Sequence, residues 1–197
     1  MSSQFALPLP LILASASRYR TQLLARLKIS FLGIAADVDE TPRAEETPAQ
    51  LAARLAESKA RALARRFPGH WILGADQVAS ADGRFFGKPG DLAAATEQLR
   101  KLSGRPAQFV TAVALLKDDR LMRALDITTV RFRTLRDGDI ERYLATEPAF
   151  DCAGSFKSEG LGITLFDEIQ SRDPTALIGL PLIALCRLLR DAGYQLP

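Results

Sequence analysis

Apolar positions recur along this chain in two periods, and the switches between them mark its elements. Residues 7–14 form an apolar run that predicts a first buried strand. The small residues Ser15-Ala16-Ser17 follow, then Leu23, Leu24 and Leu27 at helical spacing. A second strand is predicted over 29–35 and runs into an acidic loop, Asp37-Val38-Asp39-Glu40-Thr41-Pro42. Thr47-Pro48-Ala49-Gln50 carries the signals of a helix start: Thr as N-cap, Pro at the first helical position, Gln at the third. That helix should run to about residue 66, with Leu51, Ala52, Leu55 and Leu63 on its apolar face. Lys59 falls among them. A lysine there either snorkels to solvent or points into a cleft, and the pattern alone does not choose.

Further along, residues 71–80 and 84–86 predict a hairpin turning at Asp82-Gly83. Residues 91–102 predict an amphipathic helix. Residues 108–116 and 126–133 alternate as two antiparallel strands around Lys117-Asp118-Asp119-Arg120. A helix over 137–145 follows, then the polar, Gly-rich stretch CAGSFKSEG, a strand over 162–169 and a closing helix over 181–192. Strands alternate with helices, with hairpins among them, which predicts an α/β fold with a mixed central sheet flanked by helices. No Pro/Gly/Ser linker divides the chain, so residues 1–197 are expected to form one unit.

Composition narrows the chemistry. The chain has 197 residues, 47% hydrophobic and 25% charged, with a net charge of +3, ordinary for a globular protein. Acids and bases are interspersed, and no basic block marks a nucleic-acid tail, so a small anionic ligand suits the balance at least as well as a polymer. The N-terminal apolar stretch has no Lys or Arg before it and two prolines within it. It meets neither the pattern of a signal peptide nor the roughly 20 apolar residues of a membrane span, so a cytoplasmic protein without membrane partners is expected. Cys152 and Cys186 show no metal-binding spacing and read as reduced, partly buried thiols. His70 is the only histidine and lies in a Pro-Gly turn, so it reads as a surface residue and removes any His-based triad.

The remaining candidates are carboxylates, cations and hydroxyls at element ends. The apolar run Trp71-Ile72-Leu73 ends on Gly74-Ala75-Asp76-Gln77. A carboxylate at the carboxyl end of an interior strand is poorly solvated, so it serves a metal, a proton or a partner charge. Lys88 sits in a stiff Gly87-Lys88-Pro89 turn. GRFFGKP resembles a phosphate-binding Walker loop only superficially, with one residue too few between the glycines and Pro89 where a hydroxyl should hold magnesium. Ser15 and Ser17 lie in a strand–turn–helix arrangement that presents N–H groups to an anion. Arg18 and Arg20 open that helix, where its dipole disfavours cations unless an anion intervenes; for Arg18 the plainer alternative is a solvated side chain. With Glu40, Lys59 and residues 155–160 these groups offer carboxylates for a divalent cation and cations for a polyphosphate, the needs of phosphoryl chemistry.

SxSxxR (residues 15–20), VDET, ESKA, GADQ, GKP and SFKSEG occur in this order across residues 9–192. This series resembles the Maf family of nucleoside triphosphate pyrophosphatases. The resemblance implies an α/β fold of two lobes around a deep cleft, usually dimeric, and hydrolysis between the α- and β-phosphates with Mg²⁺ or Mn²⁺. By position, Asp76 matches the catalytic base and Glu40 an acidic residue of the metal site, which Asp76 would share. Arg20, Lys59 and Lys88 match the cations around the phosphates, and Ser15 and Ser17 the phosphate-facing turn. Ser17-Arg18-Tyr19-Arg20-Thr21 lacks the proline and the second arginine that most members carry there.

Three positions of the resemblance concern the base: Tyr19, Gln77 and Glu159. With CAGSFKSEG they resemble the branch acting on 7-methyl-GTP rather than the branch acting on dTTP and UTP. A methylated guanine carries positive charge, which Tyr19 would favour by stacking. Glu159 would accept hydrogen bonds from N1–H and the exocyclic amine, and Gln77 would donate to O6. Two other classes predict different behaviour: a nucleotide-binding regulator of cell division would show no important turnover, and a phosphosugar-binding domain no base discrimination.

Overall fold

The computed structural model describes residues 9–197, so residues 7 and 8 of the expected first strand lie outside the described residues. Seven strands form one mixed sheet in the order β2-β1-β3-β5-β6-β7, with β4 paired to β3. The strands are β1 (Leu11–Leu13), β2 (Phe31–Gly33), β3 (Ile72–Ala81), β4 (Arg84–Phe86), β5 (Pro106–Lys117), β6 (Arg120–Phe132) and β7 (Phe166–Gln170). The helices are α1 (Arg18–Ala25), α2 (Pro48–Ala64), α3 (Leu92–Leu102), α4 (Asp137–Thr146) and α5 (Leu182–Asp191). β1 pairs parallel with β2 and β3, whereas β3, β5, β6 and β7 are antiparallel. The expected mixed α/β architecture is therefore present.

Local chemistry placed most boundaries. Thr47 and Gln50 form the capping box at the start of α2, and the Asp91 side chain accepts from Ala94 N to open α3. The first and second strands are shorter than expected, and two further segments differ. β6 begins at Arg120, not 126, because its ladder with β5 continues to Lys117↔Arg120 and leaves Asp118-Asp119 as a two-residue turn. Asp118 takes a positive φ of 51° there, the backbone such tight hairpins need. The expected strand over 162–169 begins instead as a 3₁₀ turn over Leu161–Leu165. Gly162 N donates to Glu147 Oε2 at 3.1 Å, which ties that turn to α4 and delays pairing until Phe166.

Along β3 the core changes identity. Leu73 and Ala75 pack with Leu13, Leu24, Leu115 and Leu185 against α1 and α5. Ala79 and Ala81 pack with Phe109, Phe132, Leu99 and Leu144 against α3 and α4. Asp76 and Gln77 fall at the waist between these two clusters. They are not at a strand end, as expected, but in the middle of a ten-residue strand. What ends near them is the pairing: β1 covers β3 only at Ile72 and Leu73, and β4 only from Ala79 to Ala81. Between those contacts one edge of β3 has no strand beside it, which leaves space for a site.

The opposite face of the sheet is covered by α2, which packs Leu51, Ala52, Leu55 and Ala56 on Val78, Val110, Ala112 and Ala114. Small residues let the helix approach closely, and Gly74 sets the limit. A Cβ at Gly74 would collide with Ala56 O and stand 2.8 Å from Ala60 N. A glycine inside a strand here marks a close backbone approach. The helix that carries Lys59 therefore sits where only glycine admits it. Gly74→Ala is expected to destabilise the protein by about 2 kcal/mol or more, measured by urea unfolding. A change within 0.5 kcal/mol, about the range of inert surface substitutions, would contradict this packing.

Candidate active site at the waist of the sheet

A cavity of about 480 Å³ opens at the uncovered edge of β3. That is room for a nucleotide-sized ligand. Its wall includes Ser15, Ser17, Tyr19 and Arg20 from the β1–α1 turn, Glu40 from the acidic loop, and Lys59 from α2. Gln77 from β3, Lys88 from the turn after β4, and Glu159 complete the set. Nine of the ten sequence candidates thus meet around one space. The tenth, Asp76, is not on the wall but is tied to it through Lys59.

Asp76 and Gln77 are neighbours on a strand, so their side chains leave opposite faces. Asp76 points to the α2 side, where Lys59 Nζ donates to its Oδ1 at 2.6 Å. The same ammonium contacts Glu40 Oε1 at 2.6 Å. Lys59 and Asp76 are buried, with 9% and 10% of their side chains exposed, while Glu40 is 60% exposed. The open alternatives for Lys59 resolve in favour of the cleft. Burial pushes the Asp76 carboxyl above its ordinary value, outweighing the downward pull of Lys59 and Arg20. Glu40 also loses solvation, but the hydrogen bond and charge of Lys59, with Lys88 and Arg20 nearby, hold it below its ordinary value.

The β1–α1 turn meets this pair from the other side. Ser17 caps α1 by accepting from Arg20 N at 3.4 Å, and Ser15 Oγ accepts from Ser17 N at 3.1 Å. Arg20 is held by a 3.0 Å hydrogen bond from Nε to Gly179 O, and its NH1 donates to Ser15 Oγ at 3.4 Å. Burial pulls the Arg20 pKa down, opposed by the charges of Asp76 and Glu40. Three cations thus face two carboxylates before any ligand arrives, an imbalance suited to a polyphosphate. Among the described residues no group of three or more His, Cys, Asp or Glu is placed to hold a metal ion. Two hard carboxylates converging on one cationic point do suit Mg²⁺ or Mn²⁺, ions that take one or two carboxylates and complete their shell with phosphate oxygens and water.

Beside Tyr19 the cavity holds Asp151, which sequence reasoning missed, and Arg18, for which a solvated side chain was the plainer expectation. Arg18 is exposed yet not merely solvated: its NH2 donates to Tyr19 OH at 2.7 Å and to Asp151 Oδ2 at 3.3 Å. Its guanidinium also lies 4.8 Å from the Tyr19 ring centroid, so it covers one face of that ring. Cys152 and Cys186 are free, partly buried thiols, as expected. Burial, partly offset by the Tyr19 hydroxyl, pushes Cys152 up to about 11, so it is a neutral neighbour of Tyr19. Ser155 faces away from the site. It is fully buried at a φ of 64°, and its Oγ donates to Gln98 Oε1 at 2.7 Å. Phe156 anchors the same loop among Phe109, Phe132 and Phe166, leaving Ser158 and Glu159 at the cavity. Gln77 spends its amide nitrogen on Thr111 Oγ1, Ala176 O and Leu177 O, at 2.9–3.0 Å, so it cannot donate to a base as expected.

A mixed α/β sheet split over a cationic, carboxylate-bearing cleft defines a protein built to bind a phosphorylated ligand. The chain belongs to the Maf family: the family described as Maf-like protein matches residues 10–192. It is 58% identical over 187 residues to a protein of Xanthomonas oryzae pv. oryzae named 7-methyl-GTP pyrophosphatase, covering 95% of this chain and 98% of the relative. A protein of the same name from Bordetella pertussis is 53% identical over 190 residues, 96% of each chain. Among solved structures, the Staphylococcus aureus Ham1 protein aligns at a TM-score of 0.47 and 18% identity, over 63% of this chain and 72% of its own. Among the described residues no helix is long and apolar enough to cross a membrane.

The ion pair makes a testable statement about Asp76. Removing the ammonium with Lys59→Gln takes away a stabiliser of the carboxylate, so the Asp76 midpoint should rise further, read by carboxyl ¹³C titration. Because a raised pKa means that the folded state favours the protonated acid, this contribution to stability is present at low pH. It is lost as pH rises from the ordinary Asp value of about 3.9 through the folded value. An unmoved midpoint would show that Lys59 does not govern Asp76.

Proposed function

We propose that this chain hydrolyses 7-methyl-GTP to 7-methyl-GMP and pyrophosphate, with a divalent cation, Mg²⁺ or Mn²⁺, as cofactor and removal of modified nucleotides from the cytoplasmic pool as its role. The observation that carries this reading is that the ion pair and the phosphate-facing turn share one cavity with Tyr19, Gln77 and Glu159. The names of the relatives support the substrate.

On the phosphate side, Arg20, Lys59 and Lys88 would balance triphosphate charge, with Ser15 and Ser17 presenting hydroxyl and backbone donors at the start of α1. Glu40 and Asp76 would hold the cation, whose chemistry when bound is to neutralise phosphate oxygens and acidify a coordinated water. Asp76 would accept the proton of the attacking water. Water oxygen ends on 7-methyl-GMP, the bridge between the α- and β-phosphates breaks, and pyrophosphate leaves. An ordinary Asp is a weak base, and burial of Asp76 moves its proton affinity in the useful direction. On the base side, Tyr19 offers a ring face to a cationic base and Glu159 an anionic acceptor at the rim.

A nucleotide panel with pyrophosphate detection, run with and without chelator, tests the proposal. Turnover should be fastest with 7-methyl-GTP and should vanish with the chelator. Asp76→Asn should lower kcat by roughly 10²–10⁴-fold while nucleotide binding survives. Glu159→Gln should reduce the preference for 7-methyl-GTP roughly tenfold, the loss of one charge-assisted contact. Equal or faster turnover of dTTP or UTP would favour a pyrimidine substrate. Binding without turnover would favour a regulator.

A further inference from the structure

The geometry points to Thr111 as a positioning residue for base selection: it helps hold both amide N–H groups of Gln77 away from the cavity, so that Gln77 meets the base only as a hydrogen-bond acceptor. This deepens the proposed function and rests on it for the identity of the base.

Gln77 and Thr111 are register partners on β3 and β5, at the waist where the two core clusters part. Thr111 is fully buried. Its hydroxyl has one proton, donated to Ala176 O at 2.9 Å, so its oxygen can only accept from Gln77 Nε2 at 3.0 Å. The other N–H of Gln77 is shared between Ala176 O and Leu177 O, at 2.9 and 3.0 Å. A flipped amide would set Oε1 against two carbonyl oxygens, so the acceptors themselves dictate the orientation. Those carbonyls are in turn fixed. Asp173 accepts from Thr175 N at 3.0 Å and from Ile183 N at 2.6 Å, pinning the loop to the start of α5. Gln77 Oε1 has no protein partner among the described residues, is not sealed off from solvent, and belongs to a side chain that lines the cavity.

The consequence is a base wall with two acceptors, Gln77 Oε1 and the Glu159 carboxylate. Guanine presents two adjacent kinds of donor, N1–H and the exocyclic amine, and can satisfy both. Thymine and uracil present a single ring N–H between two carbonyls, and leave one acceptor unmet at a cost. Methylation at N7 places positive charge on the ring and strengthens its N–H donors, so an all-acceptor wall favours the methylated base further. O6 receives no donor from Gln77.

Equilibrium binding and kcat, measured for the unaltered protein, Thr111→Val and Thr111→Ser, test this assignment. Thr111→Val should weaken 7-methyl-GTP binding roughly tenfold and change kcat by less than about threefold, the signature of one misplaced hydrogen bond. Thr111→Ser, which keeps the hydroxyl, should restore binding. Equal affinity in all three proteins, or a loss not rescued by serine, would overturn the role. A second arm needs no variant: 6-thio-GTP keeps N1–H and the amine but replaces O6 by a poor acceptor. It should bind the unaltered protein within about threefold of GTP, and a tenfold loss would mean that Gln77 donates to O6 and would overturn the assignment. This arm decides if Thr111→Val fails to fold. Because the readout is binding, absence of turnover with every nucleotide would sink the proposed function and still leave Thr111 tested.

Discussion

A buried ammonium shared by two carboxylates, Lys59 between Asp76 and Glu40, is the interaction on which the surrounding arrangement depends. Taking Lys59 and Asp76 out of water is costly, and their mutual attraction offsets the cost only when geometry is tight. Removing one partner of such a pair leaves an uncompensated charge, typically at a cost of about 3–5 kcal/mol. The fold meets the demand for geometry with small residues. Gly74 lets α2 come against β3, and Ala112 and Ala114 continue the same flat surface across β5. Asp76 is thereby held just behind the cavity wall, one hydrogen bond from Lys59, which faces the cavity.

The other half of the arrangement follows from strand alternation. Asp76 faces α2 and the cations, whereas Gln77, one residue on, faces Thr111 and the loop before α5. A ligand at the open edge of β3 can therefore meet two environments at once. One is charged and suited to phosphates. The other is largely neutral, built from Tyr19, Phe109, Phe156 and Leu177, with Glu159 at its rim. The break in strand pairing at Gly74–Val78 makes both faces reachable from one opening.

What could be read in the sequence was what local chemistry writes there. Thr47 and Gln50 announced α2, Asp91 announced α3, and Asp82-Gly83 announced the β3–β4 turn, because each residue caps or bends its own neighbourhood. The start of β6 at Arg120 was not visible, since pairing with β5 overrides the weak propensity of that stretch. Asp76 was singled out for the right physical reason, poor solvation, though it sits mid-strand. Lys59 stayed ambiguous until the partner face was known, because helical periodicity says which side a residue takes and not what waits there. Ser155 appeared as part of a site motif and proves to be an anchor, since its hydroxyl reaches α3. Gly74 was the overlooked signal: a glycine within a strand implies a close approach. Thr111, Asp151 and Gly179 had no local signature at all. Their roles arise from pairings more than 30 residues apart in the chain.

The most direct measurement is a crystal structure with Mg²⁺ and the α,β-methylene analogue of 7-methyl-GTP, which cannot release pyrophosphate by breaking a P–O–P bridge. The account predicts a triphosphate in contact with Arg20, Lys59 and Lys88, with Lys59 still paired to Asp76, and the methylated base against the free face of Tyr19 and within hydrogen-bonding reach of Gln77 Oε1. A nucleotide whose phosphates lie away from Lys59, or whose base occupies the α2 side of β3, would contradict it.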